Sequence, residues 1–266
     1  MTYSSLGRYC NLVRFIRNWP HYFSHKRSST FLPARFSTRG TSLTFDVPTF
    51  ELYLVFKEIF LSDFYSIDEW IDRLPKAPVV VDIGGNAGYF SMLLLSKRPS
   101  ASLFAYEPIE RNFELFQNNI KINPVISGSA HVFHRAVTGR PTDSITLYKE
   151  ANSDNSVTAS VFQDFESHNL NAVTVKAISL EQILQENKLD QVDFLKIDCE
   201  GSEYPIVYDS PPEIWKKIET VFLEVHNLDE DKRNLKSIDQ FLKTVGYKTT
   251  HRLANNGCYA VFATRK

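Results

Sequence analysis

The hydrophobic positions of this chain change period several times, and each change marks an element. Across residues 50–74, Leu54, Val55, Ile59, Phe60, Phe64, Ile67, Trp70, Ile71 and Leu74 recur at helical spacing, which predicts one or two helices closed by the proline-bounded segment 75–78. Val79, Val80 and Val81 then form a short β-branched run suited to a strand buried on both faces. Asp82 and a glycine turn follow, and a helix is expected over 89–97. A strand over 102–106 and a helix over 109–123, stopped by Asn123-Pro124, complete a strand-helix-strand-helix unit.

Further along, strands are predicted at 131–137, 144–148 and 173–178, with a polar loop at 150–156 between the last two. A helix at 180–187, a strand at 192–197, a helix at 212–218 and a strand at 220–225 come next. The helix over 234–245 should end at Gly246 in a left-handed cap, and 247–253 with 258–264 reads as a closing antiparallel hairpin. Upstream, a Gly-Thr-Ser turn within 31–47 predicts a small hairpin. The alternation of strands and helices implies an α/β fold with a doubly wound, mostly parallel sheet over residues 78–266, preceded by a helical and hairpin accessory region at 1–77.

Charge adds one feature to this picture. The net charge of −1 gives no general argument for nucleic-acid binding, but Arg8, Arg14, Arg17, Lys26, Arg27, Arg35 and Arg39 all precede the first acidic residue, Asp46. Three readings compete for this basic end. Its composition resembles a transit peptide; Leu12, Val13, Phe15, Ile16 and Trp19 make an amphipathic helix suited to peripheral contact with an anionic membrane; or that helix simply packs on its own domain. The three cysteines, Cys10, Cys199 and Cys258, lack zinc-type spacing and are too few for a disulfide framework, which suggests a reducing compartment. With no apolar run approaching a membrane span, a soluble, cytoplasmic protein is expected.

The turn Gly84-Gly85-Asn86-Ala87-Gly88 lacks both the dinucleotide pattern and the Gly-Lys-Ser/Thr of a phosphate loop. A nicotinamide-dependent oxidoreductase is therefore disfavoured. What the turn does have is Asp82 before it and Glu107 at the end of the next strand, where a carboxylate accepts hydrogen bonds from two vicinal ribose hydroxyls. The plain alternative is a tight strand-helix turn beside a solvated glutamate.

These motifs resemble the FkbM family of S-adenosylmethionine-dependent methyltransferases. The resemblance rests on Asp-Ile-Gly-Gly-Asn-Ala-Gly-Tyr-Phe-Ser at 82–91, Tyr-Glu-Pro at 106–108, Phe-Leu-Lys-Ile-Asp-Cys-Glu-Gly-Ser-Glu at 194–203 and Phe-Leu-Glu-Val-His at 222–226. It implies a class I, Rossmann-like methyltransferase fold. It also implies a cofactor pocket shaped by Asp82, Gly84, Gly85, Asn86 and Gly88, with Glu107 on the ribose and Ala136 and Val137 beside the adenine. Gly85 stands where such enzymes commonly have alanine, an exchange that keeps the residue small. The implied reaction is O-methylation of a hydroxyl on a sugar or glycan-linked metabolite, and the competing view is a non-catalytic binding module on the same fold.

A second constellation, Lys196, Asp198, Glu200, Glu224 and His226, sits at the ends of two later strands. A hydroxyl is a poor nucleophile until its proton is removed, so Asp198 and His226 are candidates for base or acceptor positioning, with Lys196 and Glu200 beside them. Against this stand structural roles: His226 as a satisfied strand-end residue, Glu200 as a cap, and Lys196 neutralising Asp198. A Mg²⁺ or Mn²⁺ site formed by Asp198, Glu200, Glu224 and His226 is a less favoured alternative. Cys199 reads as a packing residue.

Overall fold

The chain enters through helices α1 (Ser5–Phe15) and α2 (Pro20–Arg27), a hairpin of β1 (Ala34–Ser37) and β2 (Thr44–Val47), and helices α3 (Phe50–Phe60) and α4 (Ile67–Trp70). The computed structural model describes residues 5–27, 31–149, 159–161, 171–255 and 257–265. Thr49 starts α3 by accepting the Leu52 N–H, as a helix cap should. Phe36 stacks on Phe56 at 4.2 Å and Phe45 on Phe60 at 5.2 Å, so the hairpin and α3 are joined by aromatic rings.

The main body follows as β3 (Val79–Ile83), α5 (Tyr89–Lys97), β4 (Ser102–Tyr106), α6 (Glu110–Lys121) and β5 (Ala130–Phe133). After an excursion come α7 (Leu180–Glu186), β10 (Val192–Ile197), α8 (Glu203–Asp209), α9 (Pro212–Trp215), β11 (Ile218–His226), α10 (Leu235–Thr244), β12 (Tyr247–Asn255) and β13 (Cys258–Arg265). Seven of these strands form one sheet in the order β12-β13-β11-β10-β3-β4-β5. Strands β11, β10, β3, β4 and β5 pair in parallel, and β13 runs antiparallel to both of its neighbours. The reversal of strand order between β3 and β10 creates a crevice at the carboxyl ends of these strands.

Alternation sorts the central residues between two cores. Val80 and Phe194 face one side and Val81, Leu195 and Ile197 the other. The first core also contains Leu12 and Phe15 of α1 and the following Ile16, together with Phe36, Phe56 and Trp70, so the N-terminal region and the sheet share one interior. Helix α1 thus turns Leu12 and Phe15 inward, while Leu6 and Val13 stay exposed. The side chains of Asn119, in the last turn of α6, and Asn123, just after it, hold the β2 backbone, with Thr44 N–H donating to Asn123 Oδ1 at 2.7 Å and Asp46 N–H to Asn119 Oδ1 at 2.9 Å. Among the described residues no helix is long and apolar enough to cross a membrane.

Three expectations need correction. The strand expected at 131–137 is two: after β5 the chain bends at His134 and Arg135, and β6 (Ala136–Thr138) joins a separate sheet with β7 (Ser144–Lys149), β8 (Ala159–Ser160) and β9 (Asn171–Ser179). His134 fixes the bend, its Nε2 lying 2.9 Å from the Pro108 carbonyl while its ring stacks on Phe113. Helix α8 was not anticipated; its Pro205 falls in the first turn, where a missing N–H costs no helical bond. The helix expected at 212–218 ends at Trp215, and β11 begins at Ile218. The polar loop at 150–156 lies outside the described residues.

Candidate active site

A cleft of about 640 Å³ opens at the carboxyl ends of β3, β4, β10 and β11. That size suits a small-molecule ligand. Its floor is the glycine turn and the strand ends, and one wall is α3 with the segment that follows it, through Leu54, Val55, Glu58 and Tyr65.

One end of the cleft is built by backbone groups. The N–H groups of Gly84 and Gly85 both donate to the Tyr106 carbonyl at 3.0 Å, which ties the turn to the neighbouring strand. Gly84 has φ +77, and a Cβ there would lie 1.8 Å from the Asp198 carbonyl oxygen, so only glycine fits. Glu107 is buried, with 4% of its surface exposed. Its Oε2 accepts the Asn86 N–H at 2.8 Å and its Oε1 the Ile109 N–H at 2.9 Å. Burial pushes its pKa up to about 7. The Asn112 side chain also donates to this carboxylate.

Several predicted residues stand away from the cleft wall. Asp82 is fully buried one layer beneath the turn, where Ser91 Oγ donates to Oδ2 at 2.6 Å and Lys196 Nζ to Oδ1 at 3.0 Å. Gly88 packs on Phe116. Ala136 and Val137 are not on the wall: the bend at His134 carries them into apolar cores, Ala136 beside Ile109, Leu147 and Val175. Pro108, Ile109 and Asn112 line that part of the cleft instead. Gly85 is also not freely exchangeable for alanine, since a Cβ there would lie 2.7 Å from Phe116 Cε1.

The other end is crowded with ionisable side chains. The parallel register places Lys196 opposite Asp82, and its Nζ also donates to the Gly84 carbonyl at 2.9 Å and lies 3.5 Å from Asp198 Oδ2. Burial opposes the ammonium charge, but Asp82 and Asp198 outweigh it and raise the pKa. Lys196 is thus a fixed cation joining the two ends of the cleft. Asp198 accepts a 2.5 Å hydrogen bond from the Tyr65 hydroxyl. Burial resists its ionisation, yet Lys196, Glu224 and Tyr65 together bring its pKa below the usual carboxylate value. Glu224 goes the other way, pushed well up by burial and by the Asp198 charge.

His226 lies at the end of β11 with Nε2 3.5 Å from Glu200 Oε2 and Nδ1 3.3 Å from Glu203 Oε1. Burial disfavours the imidazolium, but hydrogen bonding to Cys258 and Glu203 raises the pKa to about 11.

Sequence reasoning passed over Glu58, Tyr65, Glu203 and Cys258. Glu58 lines the cleft, and burial followed by the Asp198 charge lifts its pKa to about 7. Glu203 is fully buried at the start of α8 and accepts the His226 backbone N–H at 3.0 Å. The polar position of Glu58 on the otherwise apolar face Val55, Phe56 and Ile59 was the available signal for it.

A doubly wound sheet with its third-strand glycine turn facing a carboxylate at the end of the adjacent strand is the architecture of a class I methyltransferase. Residues 82–249 match the family model described as the methyltransferase FkbM domain, and the chain belongs to that family. Methyltransferase 1 of Beauveria bassiana (strain ARSEF 2860) is 28% identical over 192 residues, covering 66% of this chain and 74% of that protein. Methyltransferase sdnD of Sordaria araneosa is 27% identical over 203 residues, covering 65% and 74%. The crystal structure of methyltransferase FkbM from Methylobacillus flagellatus KT superposes with a TM-score of 0.49 at 13% identity, over 80% of this chain and 53% of that one.

The family implies S-adenosylmethionine, and the cleft fits it in two respects. Glu107 offers paired acceptor atoms on a buried carboxylate already oriented by backbone donors. The glycine turn brings bare backbone to the cleft floor, leaving room for close approach of a ligand.

Proposed function

We propose that this methyltransferase acts on oxygen, most plainly a hydroxyl of a sugar or glycan-linked small molecule, with Glu107 holding the cofactor ribose and Asp198 the acceptor. The observation that carries this reading is the place of Asp198, fixed by Tyr65 and Lys196 directly against the glycine turn. S-adenosylmethionine supplies an electrophilic methyl group on a sulfonium. The protein's part is to bring a hydroxyl oxygen in line with that methyl and to take up its proton. Positioning of this kind contributes up to ~7–11 kcal/mol in favourable systems.

Two carboxylates are placed to handle the proton. Asp198 orients the hydroxyl through a charge-assisted hydrogen bond, and Glu58, with a pKa near the working pH, is the better final acceptor.

Purified protein incubated with methyl-labelled cofactor and a cell extract, followed by mass analysis of the labelled product, tests the acceptor class. Label on a hydroxyl of a small molecule supports the reading; label on nitrogen, carbon or macromolecules overturns it. On the acceptor so found, Asp198→Asn should lower turnover about 10²- to 10⁴-fold with the cofactor Kd within threefold of wild type.

A further inference from the structure

Three side chains with metal-binding atoms emerge from one face of two paired strands. Strand β11 runs antiparallel to β13, with His226 directly opposite Cys258 and Glu224 opposite Ala260. Glu224 and His226 are two residues apart and share a face, and direct cross-strand opposition puts Cys258 on that face with them. The cores agree: Phe222 and Ala260 lie on this side of the sheet, and Leu223, Val225 and Val261 on the other.

A Glu224 carboxylate oxygen, a His226 ring nitrogen and Cys258 Sγ all fall within 4.8 Å of one another. Sγ and Glu224 Oε1 are 2.9 Å apart. Behind the imidazole sits Glu203, fully buried, with Oε1 against Nδ1 and Oε2 buried and without a hydrogen-bond partner among the described residues. A carboxylate behind one ring nitrogen is the usual device for aiming the other at a metal. Here the other nitrogen, Nε2, faces Glu200 and the cleft.

We infer that Glu224, His226 and Cys258 form a binding site for one divalent transition-metal ion of the zinc type. The donor set decides the class of ion: a sulfur, an imidazole nitrogen and one carboxylate suit Zn²⁺, whereas Mg²⁺ and Mn²⁺ favour oxygen ligands. The expected Mg²⁺ or Mn²⁺ alternative drew on Asp198 and Glu200 and left out Cys258. Three protein ligands leave one tetrahedral position open. All three line the cleft, so that position is available to water or to an oxygen of the acceptor.

The full-length protein, reduced and freed of metal with a chelator, is titrated with Co²⁺ alone and followed by absorption, then with Zn²⁺ in competition. One equivalent of Co²⁺ should produce thiolate-to-metal charge-transfer absorption, and one equivalent of Zn²⁺ should abolish it. Cys258→Ser should remove the absorption and Cys199→Ser should keep it. Glu203→Gln should weaken Zn²⁺ binding about 10- to 100-fold, and His226→Ala should weaken it at least as much. Absence of charge transfer in the wild type overturns the site, as does absorption that survives Cys258→Ser in protein shown by circular dichroism to be folded. Should Cys258→Ser not fold, the wild-type titration and His226→Ala decide the question. No cofactor or acceptor enters these measurements, so their outcome is separate from that of methyl transfer.

Discussion

The two ends of the cleft solve opposite electrostatic problems. At the Glu107 end a single buried carboxylate is held by neutral donors, two backbone N–H groups and the Asn112 side chain. At the Asp198 end, Lys196, Tyr65, Glu224 and His226 crowd around one carboxylate that stays ionised. Backbone donors hold position whatever the pH, which suits recognition of an unchanging ligand. Side-chain charges respond to their neighbours, which suits a place where a proton must move. The difference implies that damage at the first end should appear in cofactor affinity and damage at the second in turnover.

The comparison breaks most severely at Lys196, the link between the ends. Lys196→Met leaves Asp82 and Asp198 buried without their cation and should cost about 3–5 kcal/mol of stability in urea unfolding. A loss below 1 kcal/mol would mean the ammonium is dispensable. Next in size, Glu107→Gln should weaken cofactor binding by about 1.5–3 kcal/mol in calorimetry while leaving the turnover of saturated enzyme near wild type. Turnover loss without affinity loss would place Glu107 at the wrong end.

The pH dependence sharpens the same point. Burial raises the Glu107 pKa to about 7, so the folded protein holds a proton there that the unfolded chain, titrating near 4.5, does not. Ionised Glu107 therefore subtracts from stability as pH rises from 4.5 through 7. Hydroxyl donors require the ionised form, so cofactor affinity should fall up to about tenfold per unit as pH drops below about 7, and Glu107→Gln should flatten that slope. Tyr65→Phe removes one hydrogen bond to a charged group and should lower turnover by about 1.5–3 kcal/mol of barrier with cofactor affinity preserved. Smallest of all, Gly85→Ala should cost about 1 kcal/mol of cofactor affinity through its contact with Phe116, and Phe116→Leu in the same chain should restore it.

The order of legibility along the chain follows the range of the interactions. The glycine turn, Glu107 and the Asp198 segment could be read because each depends on its own strand and the turn after it. Lys196 was correctly placed on the side of Asp198 by alternation, but its pairing with Asp82 depends on register, which no single strand records. Ala136 and Val137 were misplaced because a bend at His134 is fixed by Phe113 and the Pro108 carbonyl, distant in sequence. Glu58 and Tyr65 come from a region that looked accessory and proves to share the sheet's core. Cys258 escaped because cysteine spacing reports metal sites built on local turns, and here strand pairing supplies the proximity.

Gly84 deserves a last consideration because its bare Cα rests against the Asp198 carbonyl. The gap between the two ends of the cleft is thereby set by main chain on main chain, with no rotamer to adjust it. Such a spacing is hard to alter by drift, since every single substitution at Gly84 collides with a neighbouring strand. Side chains at the rim, such as Leu54, Glu58 and Leu228, are under no such constraint, so the width of the cleft can change there without touching the spacing beneath it.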